Sequence, residues 1–160
     1  MKKGTFEDLL PQETVERMLL SRVSVGEVFR MHLGKEENIK GKNPGDDGRN
    51  KYFVVLGHDL DGNAIGVVII DTEINPNLPP RRQQMHYQLS AKKYAFLTEK
   101  DRFVDCSDLK TITGKRFKEL FGNGKAKGTI MQDDLELIKG AVISYEDASP
   151  KALKRFGLIP

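Results

Sequence analysis

Arg49-Asn-Lys-Tyr-Phe-Val-Val-Leu-Gly-His-Asp-Leu-Asp-Gly-Asn-Ala-Ile-Gly-Val-Val-Ile-Ile-Asp-Thr-Glu-Ile-Asn75 contains two apolar runs, Tyr52 to Leu56 and Ile65 to Ile70, on either side of an Asp61-Gly62 pair. Runs this rich in β-branched and aromatic residues, broken by Asp-Gly, read as the two strands of a hairpin. Their near-continuous apolarity reads as burial on both faces. The hairpin is therefore the core. Antiparallel pairing across the turn sets its outer ends side by side. Arg49 and Lys51, where the first strand enters, meet Thr72 and Asn75, where the second leaves. A basic group and a hydroxyl share one rim of the core.

The chain has 160 residues, 38% hydrophobic and 31% charged, which is the size and composition of one globular domain that buries its core without staples. A single cysteine, Cys106, excludes an internal disulfide framework and fits a reducing compartment. No apolar run nears the roughly 18 residues that span a bilayer, and Met1-Lys2-Lys3 leads into acidic and polar residues rather than a signal-peptide core. The expectation is a cytoplasmic protein with no membrane contact. The net charge of +3 names no partner, but the basic excess is local: six basic residues against Glu99 and Asp101 between Arg81 and Arg102, and six against Glu119 between Lys110 and Lys127. Such segments form either a phosphate-attracting surface or an ordinary solvated face.

Outward from the hairpin, Phe6 to Arg22 has mostly helical apolar spacing and predicts an amphipathic helix from about Pro11. Val25 to Leu33, punctuated by Gly26 near its start and Gly34 after its end, reads as a strand. Lys35 to Asn50 has one apolar residue, Ile39, among glycines, Pro44 and alternating charges, and reads as a long mobile loop. It lacks the spacing of a nucleotide-binding Walker A loop. Asp59, Asp61 and Asn63 lack the later ligands of a calcium loop and read as turn chemistry. Beyond the Pro76, Pro79 and Pro80 crossing, short strands are expected at Met85–Leu89, Tyr94–Leu97 and Phe103–Cys106, the last continuing or kinking through Ile112. A short helix is expected at Phe117–Phe121, stopped by Gly122-Asn123-Gly124, and an extended piece at Lys127–Ile130. Thr129 with Gln132 has the spacing of a capping box for a helix carrying Leu135, Ile138 and Val142, and Ser149-Pro150 starts a last helix. The predicted fold is mainly β with α: a small, bent β-barrel with a C-terminal helix and an added N-terminal helix. One domain spans 1–160, with an N-terminal helical extension at 1–23, barrel and helix at 24–146, and a helical tail at 147–160.

The order of these features resembles the MazF/PemK toxin endoribonucleases. The matching pieces are Gly26 and Val28 on a leading strand, the Gly/Pro/charged loop, Lys51-Tyr-Phe-Val-Val-Leu, Val68-Ile-Ile-Asp-Thr72, Phe103-Val-Asp-Cys-Ser-Asp-Leu-Lys-Thr-Ile112, and Lys127-Gly-Thr-Ile130 before an amphipathic helix. The resemblance covers Val25 to Tyr145. It implies an SH3-like barrel, a homodimer, cleavage of single-stranded RNA without metal or other cofactor, and inhibition by a partner antitoxin. Lys51 stands where the family has arginine followed by proline, and Thr72 where it has threonine or serine. Asp105 and Lys110 replace arginines of its later strand region. An ammonium cannot grip a phosphate bidentately as a guanidinium does, and Arg49, two residues earlier, is placed to supply that grip.

Metal-free cleavage needs help for the 2′-hydroxyl attack, stabilisation of the extra charge, and protonation of the leaving oxygen. Lys51 or Arg49 is assigned to the phosphate, Thr72 to positioning it, and His86 to proton transfer, since its ordinary pKa suits that task. Lys42, Asn75, Arg81 and Arg82 are assigned to substrate binding. Each has a plainer alternative: Lys51 as a solvated strand end, Thr72 as a strand terminator, His86 as a packed aromatic neighbour. Cys106, between acidic neighbours, reads as a buried structural thiol. Two further functions fit the same fold, a non-catalytic module that binds RNA or protein and a gyrase-directed toxin of the CcdB kind.

Overall fold

In the computed structural model, which describes residues 10–98, 100–122 and 124–160, apolarity on both sides of the central hairpin dictates the architecture. The hairpin pairs β2 (Gly48–His58) with β3 (Ala64–Asp71), and Val54 stands opposite Val68. Asp59 closes the turn by accepting from the Asn63 amide at 2.7 Å, while Gly62 takes the left-handed conformation at φ 73°. Side chains alternate between the two faces of a strand, so each face needs its own cover. Val54, Leu56, Val68 and Ile70 pack into one core, and Phe53, Val55, Ile65, Val67 and Ile69 into another.

The sheet curls around this hairpin as an antiparallel half-barrel. β1 (Glu27–Gly34) flanks β2 and carries β7 (Gly128–Thr129) on its far side. Beyond β3 the edge splits: β5 (Arg102–Asp105) pairs with its last residues and β6 (Lys110–Thr113) with its first. β4 (His86–Leu89) then pairs with β5.

Helices cover both faces. α1 (Gln12–Ser21) and α3 (Gly114–Phe121) close the second core with buried Leu20 and Phe117, and Phe29 meets the Phe117 ring edge-on at 5.3 Å. α4 (Gln132–Ser144) and α5 (Pro150–Arg155) cover the first core through Leu135, Ile138, Val142 and Leu153. Each buried aliphatic side chain is worth about 1.5–3 kcal/mol, so the second core needs α1. The four-residue α2 (Pro80–Gln83) carries the chain from β3 towards β4. None of the described helices is long and apolar enough to cross a membrane.

The small bent antiparallel sheet with terminal helices is present as expected, and three local readings differ. Tyr94–Leu97 is not a strand: Ala95–Leu97 forms a 3-10 turn that turns Leu97 and Tyr94 into the first core. α4 begins after Met131 with no side-chain cap, so the Thr129 box does not form. Its Met131 amide instead donates to the Tyr94 hydroxyl at 3.1 Å, and Asp134 in its first turn accepts from Tyr87 and Tyr94. Burial pushes the Asp134 carboxyl up, but those hydroxyls and Lys93 outweigh it and hold the group below its usual range. Within Lys35–Asn50, Lys35–Glu37 is a 3-10 turn and β2 already starts at Gly48. The Phe6–Leu9 part of the expected first helix and Asn123 of the expected stop lie outside the described residues.

Candidate functional site at the strand-end rim

Pairing register brings the rim together. Arg30, Tyr52, Ile70 and Val104 stand in one row across β1, β2, β3 and β5. Lys51 and Asp71, one residue along each strand, belong to the opposite face. There the Lys51 ammonium donates to Asp71 Oδ1 at 2.7 Å, with both side chains mostly buried.

A hollow of about 620 Å³ opens beside this pair, and Arg30, Arg49, Arg102 and Lys127 add four more positive charges to its lining. Among the described residues no carboxylate lies within ion-pair distance of any of these four. Arg30 and Arg102 each hold the guanidinium 5.7 Å from the centroid of the Tyr52 ring, which sets them at the mouth by cation–π attraction. Arg102 Nε is buried without a hydrogen-bond partner among the described residues. Thr72 is exposed on the wall of the same hollow. A second hollow, about 380 Å³, shares Arg49, Lys51, Asp71 and Thr72 with the first and adds Asn75 and Asp105.

Of the residues assigned from sequence, Lys51, Arg49, Thr72 and Asn75 therefore converge. The others lie apart or are already engaged. Lys42 lines a separate hollow formed by the loop after β1. Arg81 pairs with Asp147 and Glu146 beyond the end of α4. Arg82 donates to Ser107 Oγ at 2.8 Å and reaches Asp105 Oδ2 at 3.4 Å, so its charge is spent on holding β5. His86 is close to the rim but enclosed, its side chain 1% exposed. Its Nδ1 lies 2.9 Å from the Arg82 carbonyl oxygen, and its Nε2 faces Asp105 Oδ1 at 3.8 Å. One ligand atom from each of Asp71, His86 and Asp105 lies within 4.8 Å of the others, a geometry that can hold a metal ion.

The two positions that the sequence resemblance aligns with arginines have separate fates. Asp105 belongs to the rim. Lys110 is buried elsewhere, donating to the Glu37 carbonyl at 2.9 Å and pairing with Asp108 at 3.0 Å. Cys106 is buried, and burial with the neighbouring Asp105 charge pushes its thiol up to about 12, which leaves it inert as a nucleophile. His32 is exposed and bonded to Asp47 at 2.8 Å, and that bond raises its pKa; His58 contacts the Val23 carbonyl at 2.7 Å. α1 lines neither rim hollow; it packs against α3 on the second core.

Sequence reading missed Asp71, Asp105, Arg30, Arg102 and Lys127 as rim residues. Asp71 was countable, because pairing Tyr52 with Ile70 sets Lys51 against Asp71. Arg30 follows from the β1 register, whereas Arg102 and Lys127 arrive from distant segments with no local signal. The chain matches no protein-family model and no curated protein. The family resemblance thus rests on the order of its own residues.

Proposed function

We propose that the protein is a MazF/PemK-like endoribonuclease that cuts single-stranded RNA without a metal at the strand-end rim. The observation that supports this best is the hollow where the Lys51–Asp71 pair and Thr72 face four cations that have no acidic partner among the described residues. Unpaired cations around a concave surface bind phosphates and favour a polyanionic ligand.

Arg49 and the Tyr52-stacked arginines hold the phosphates, and the Thr72 hydroxyl orients the one to be cut. Asp71 takes the proton of the attacking 2′-hydroxyl. Lys51 offsets the charge that builds on phosphorus and gives a proton to the departing 5′-oxygen as the P–O5′ bond breaks. The products are a 2′,3′-cyclic phosphate and a 5′-hydroxyl. His86 is too enclosed to serve the RNA directly. The same resemblance implies a cytoplasmic homodimer restrained by an antitoxin protein.

Incubating the purified chain with a long single-stranded RNA in EDTA tests the reading, with Lys51→Ala, Asp71→Asn and Thr72→Ala alongside. Discrete fragments ending in cyclic phosphate, lost in the Lys51 and Asp71 variants, are expected. Intact RNA with the wild-type chain would sink the enzyme reading. Salt-sensitive binding without products would then favour a non-catalytic RNA-binding module. Cleavage that persists in all three variants would remove the site assignment.

A further inference from the structure

We propose that Asp71, His86 and Asp105 form a binding site for a divalent transition-metal ion of the zinc class. Its basis is the orientation of an enclosed imidazole whose outer nitrogen has no hydrogen-bond partner among the described residues.

His86 Nδ1 lies 2.9 Å from the Arg82 carbonyl and 3.2 Å from the Gln83 carbonyl, at the end of α2. Carbonyl oxygens only accept, so Nδ1 carries the ring proton. In the neutral ring, Nε2 then presents a lone pair, and what it faces is Asp105 Oδ1 at 3.8 Å. Two acceptors turned toward each other inside a protein are unfavourable unless something positive lies between them. A metal-binding histidine has this arrangement, with one nitrogen donating to a backbone carbonyl and the other aimed at the ion.

The carboxylates complete the set. Bonds of about 2.1 Å to nitrogen and oxygen place ligand atoms about 3 to 4 Å apart around zinc. The His86–Asp105 separation of 3.8 Å falls in that range, and the 4.8 Å limit for the trio closes by a small side-chain movement. Asp105 is held from behind: its Oδ1 accepts from the Ser107 amide at 3.0 Å and hydroxyl at 2.6 Å, and its Oδ2 faces Arg82. Arg82 therefore supports two ligands, His86 with its backbone and Asp105 with its guanidinium. Asp71 and Asp105 both line the 380 Å³ hollow, through which an ion and its remaining waters enter. One imidazole with two carboxylates suits zinc and its neighbours better than magnesium or calcium, which prefer oxygen throughout.

Lys51 is the competitor. Its ammonium already neutralises Asp71 at 2.7 Å, so the ion and the ammonium share one carboxylate. Removing the ammonium should therefore strengthen metal binding, a sign opposite to that expected for a ligand. Metal binding at this trio does not depend on whether the rim cleaves RNA.

Titration of the chelator-stripped full chain with Co²⁺ and Zn²⁺ tests the site. One equivalent of Co²⁺ should give the visible absorption of a four- or five-coordinate ion, displaced by Zn²⁺, and Zn²⁺ should shift Nε2 of His86 in imidazole ¹⁵N spectra. His86→Gln and Asp71→Asn should each weaken binding by at least about 100-fold. Lys51→Met should tighten it, and His32→Gln, at the exposed Asp47 pair, should leave it unchanged. Asp71 sits at the half-exposed strand end, so its variant reports on the site even where His86→Gln disturbs folding. No stoichiometric binding by the wild-type chain would overturn the proposal. Unaltered binding in the folded Asp71→Asn variant, or weaker binding in Lys51→Met, would overturn it as well.

Discussion

Salt dependence gives the sharpest quantitative test of the rim as a nucleic-acid surface. Each phosphate contact on a single strand contributes about 0.7 to the slope of log K against log salt. Arg30, Arg49, Arg102 and Lys127 line the hollow without acidic partners among the described residues, whereas Lys51 is bound to Asp71. Four contacts give a slope of about −2.8, or a loss of about 50-fold between 50 and 200 mM salt. Replacing Arg30 and Arg102 together by glutamine halves the count, so the slope should fall to about −1.4 and the loss to about 7-fold. The assay is fluorescence anisotropy with a labelled 2′-O-methyl oligonucleotide, which keeps the phosphates and lacks the attacking hydroxyl. Arg81→Gln is the control, since Arg81 already pairs with Asp147 and Glu146. An unchanged slope in the double variant, or an equal drop in the Arg81 variant, would refute the assignment of phosphates to this hollow.

Three further outcomes concern the scaffold. Arg116 reaches from α3 to Glu37, donating from Nε at 2.9 Å and from Nη2 at 2.8 Å, and ties the turn after β1 to the second core. Breaking such a buried pair costs about 3–5 kcal/mol, so Arg116→Met should lower Tm by roughly 10 °C. Burial pushes the Glu37 carboxyl up, but Arg116 and the Gly34 amide outweigh it and hold it below its ordinary value of 4.5. Its contribution is complete above that value and is lost as pH falls through the lowered one, so Glu37→Gln should flatten the acid limb of Tm against pH. An acid limb as steep as the wild type's would show that other carboxylates dominate. At the hairpin, a Cβ on Gly66 would lie 2.6 Å from the Phe156 ring, which follows α5. Gly66→Ala should destabilise by about 1–3 kcal/mol in chemical denaturation, with partial recovery on adding Phe156→Leu; no loss would mean that the C-terminal segment docks more loosely.

What could be read in advance followed from local chemistry. The apolar hairpin, its Asp-Gly turn, the Ser149-Pro150 helix start and the meeting of Arg49 and Lys51 with Thr72 all depend on residues close in sequence or related by one turn. Ser149 does cap α5, accepting from the Ala152 amide at 3.2 Å. The failures involve partners far apart. Tyr94–Leu97 reads locally as a short strand, yet the Tyr94 hydroxyl serves the start of α4, 37 residues away. Glu37 looked like loop charge because its partner Arg116 lies 79 residues on. Histidine at position 86 suits proton transfer by residue type alone, and the enclosure that removes it from solvent comes from register with β5 and the end of α2. Composition exposes none of these pairings.

On the proposed MazF/PemK-like reading, lysine rather than arginine at position 51 has a physical sense once its partner is known. A guanidinium there would bind phosphate well but hold its proton too tightly to deliver it. An ammonium is the poorer clamp and the better proton donor, and a carboxylate at 2.7 Å can take a proton as the ammonium gives one. Clamping can then pass to the neighbours, and the Tyr52 ring orders two guanidiniums at the mouth of the hollow. In the proposed enzyme the departure from the family pattern therefore divides one arginine's work between a proton-transfer pair and a separate phosphate grip. Lys51→Arg distinguishes the two roles: it should preserve or strengthen oligonucleotide binding while lowering the cleavage rate at saturating RNA. Cleavage as fast as wild type would mean that the side chain acts as a clamp alone.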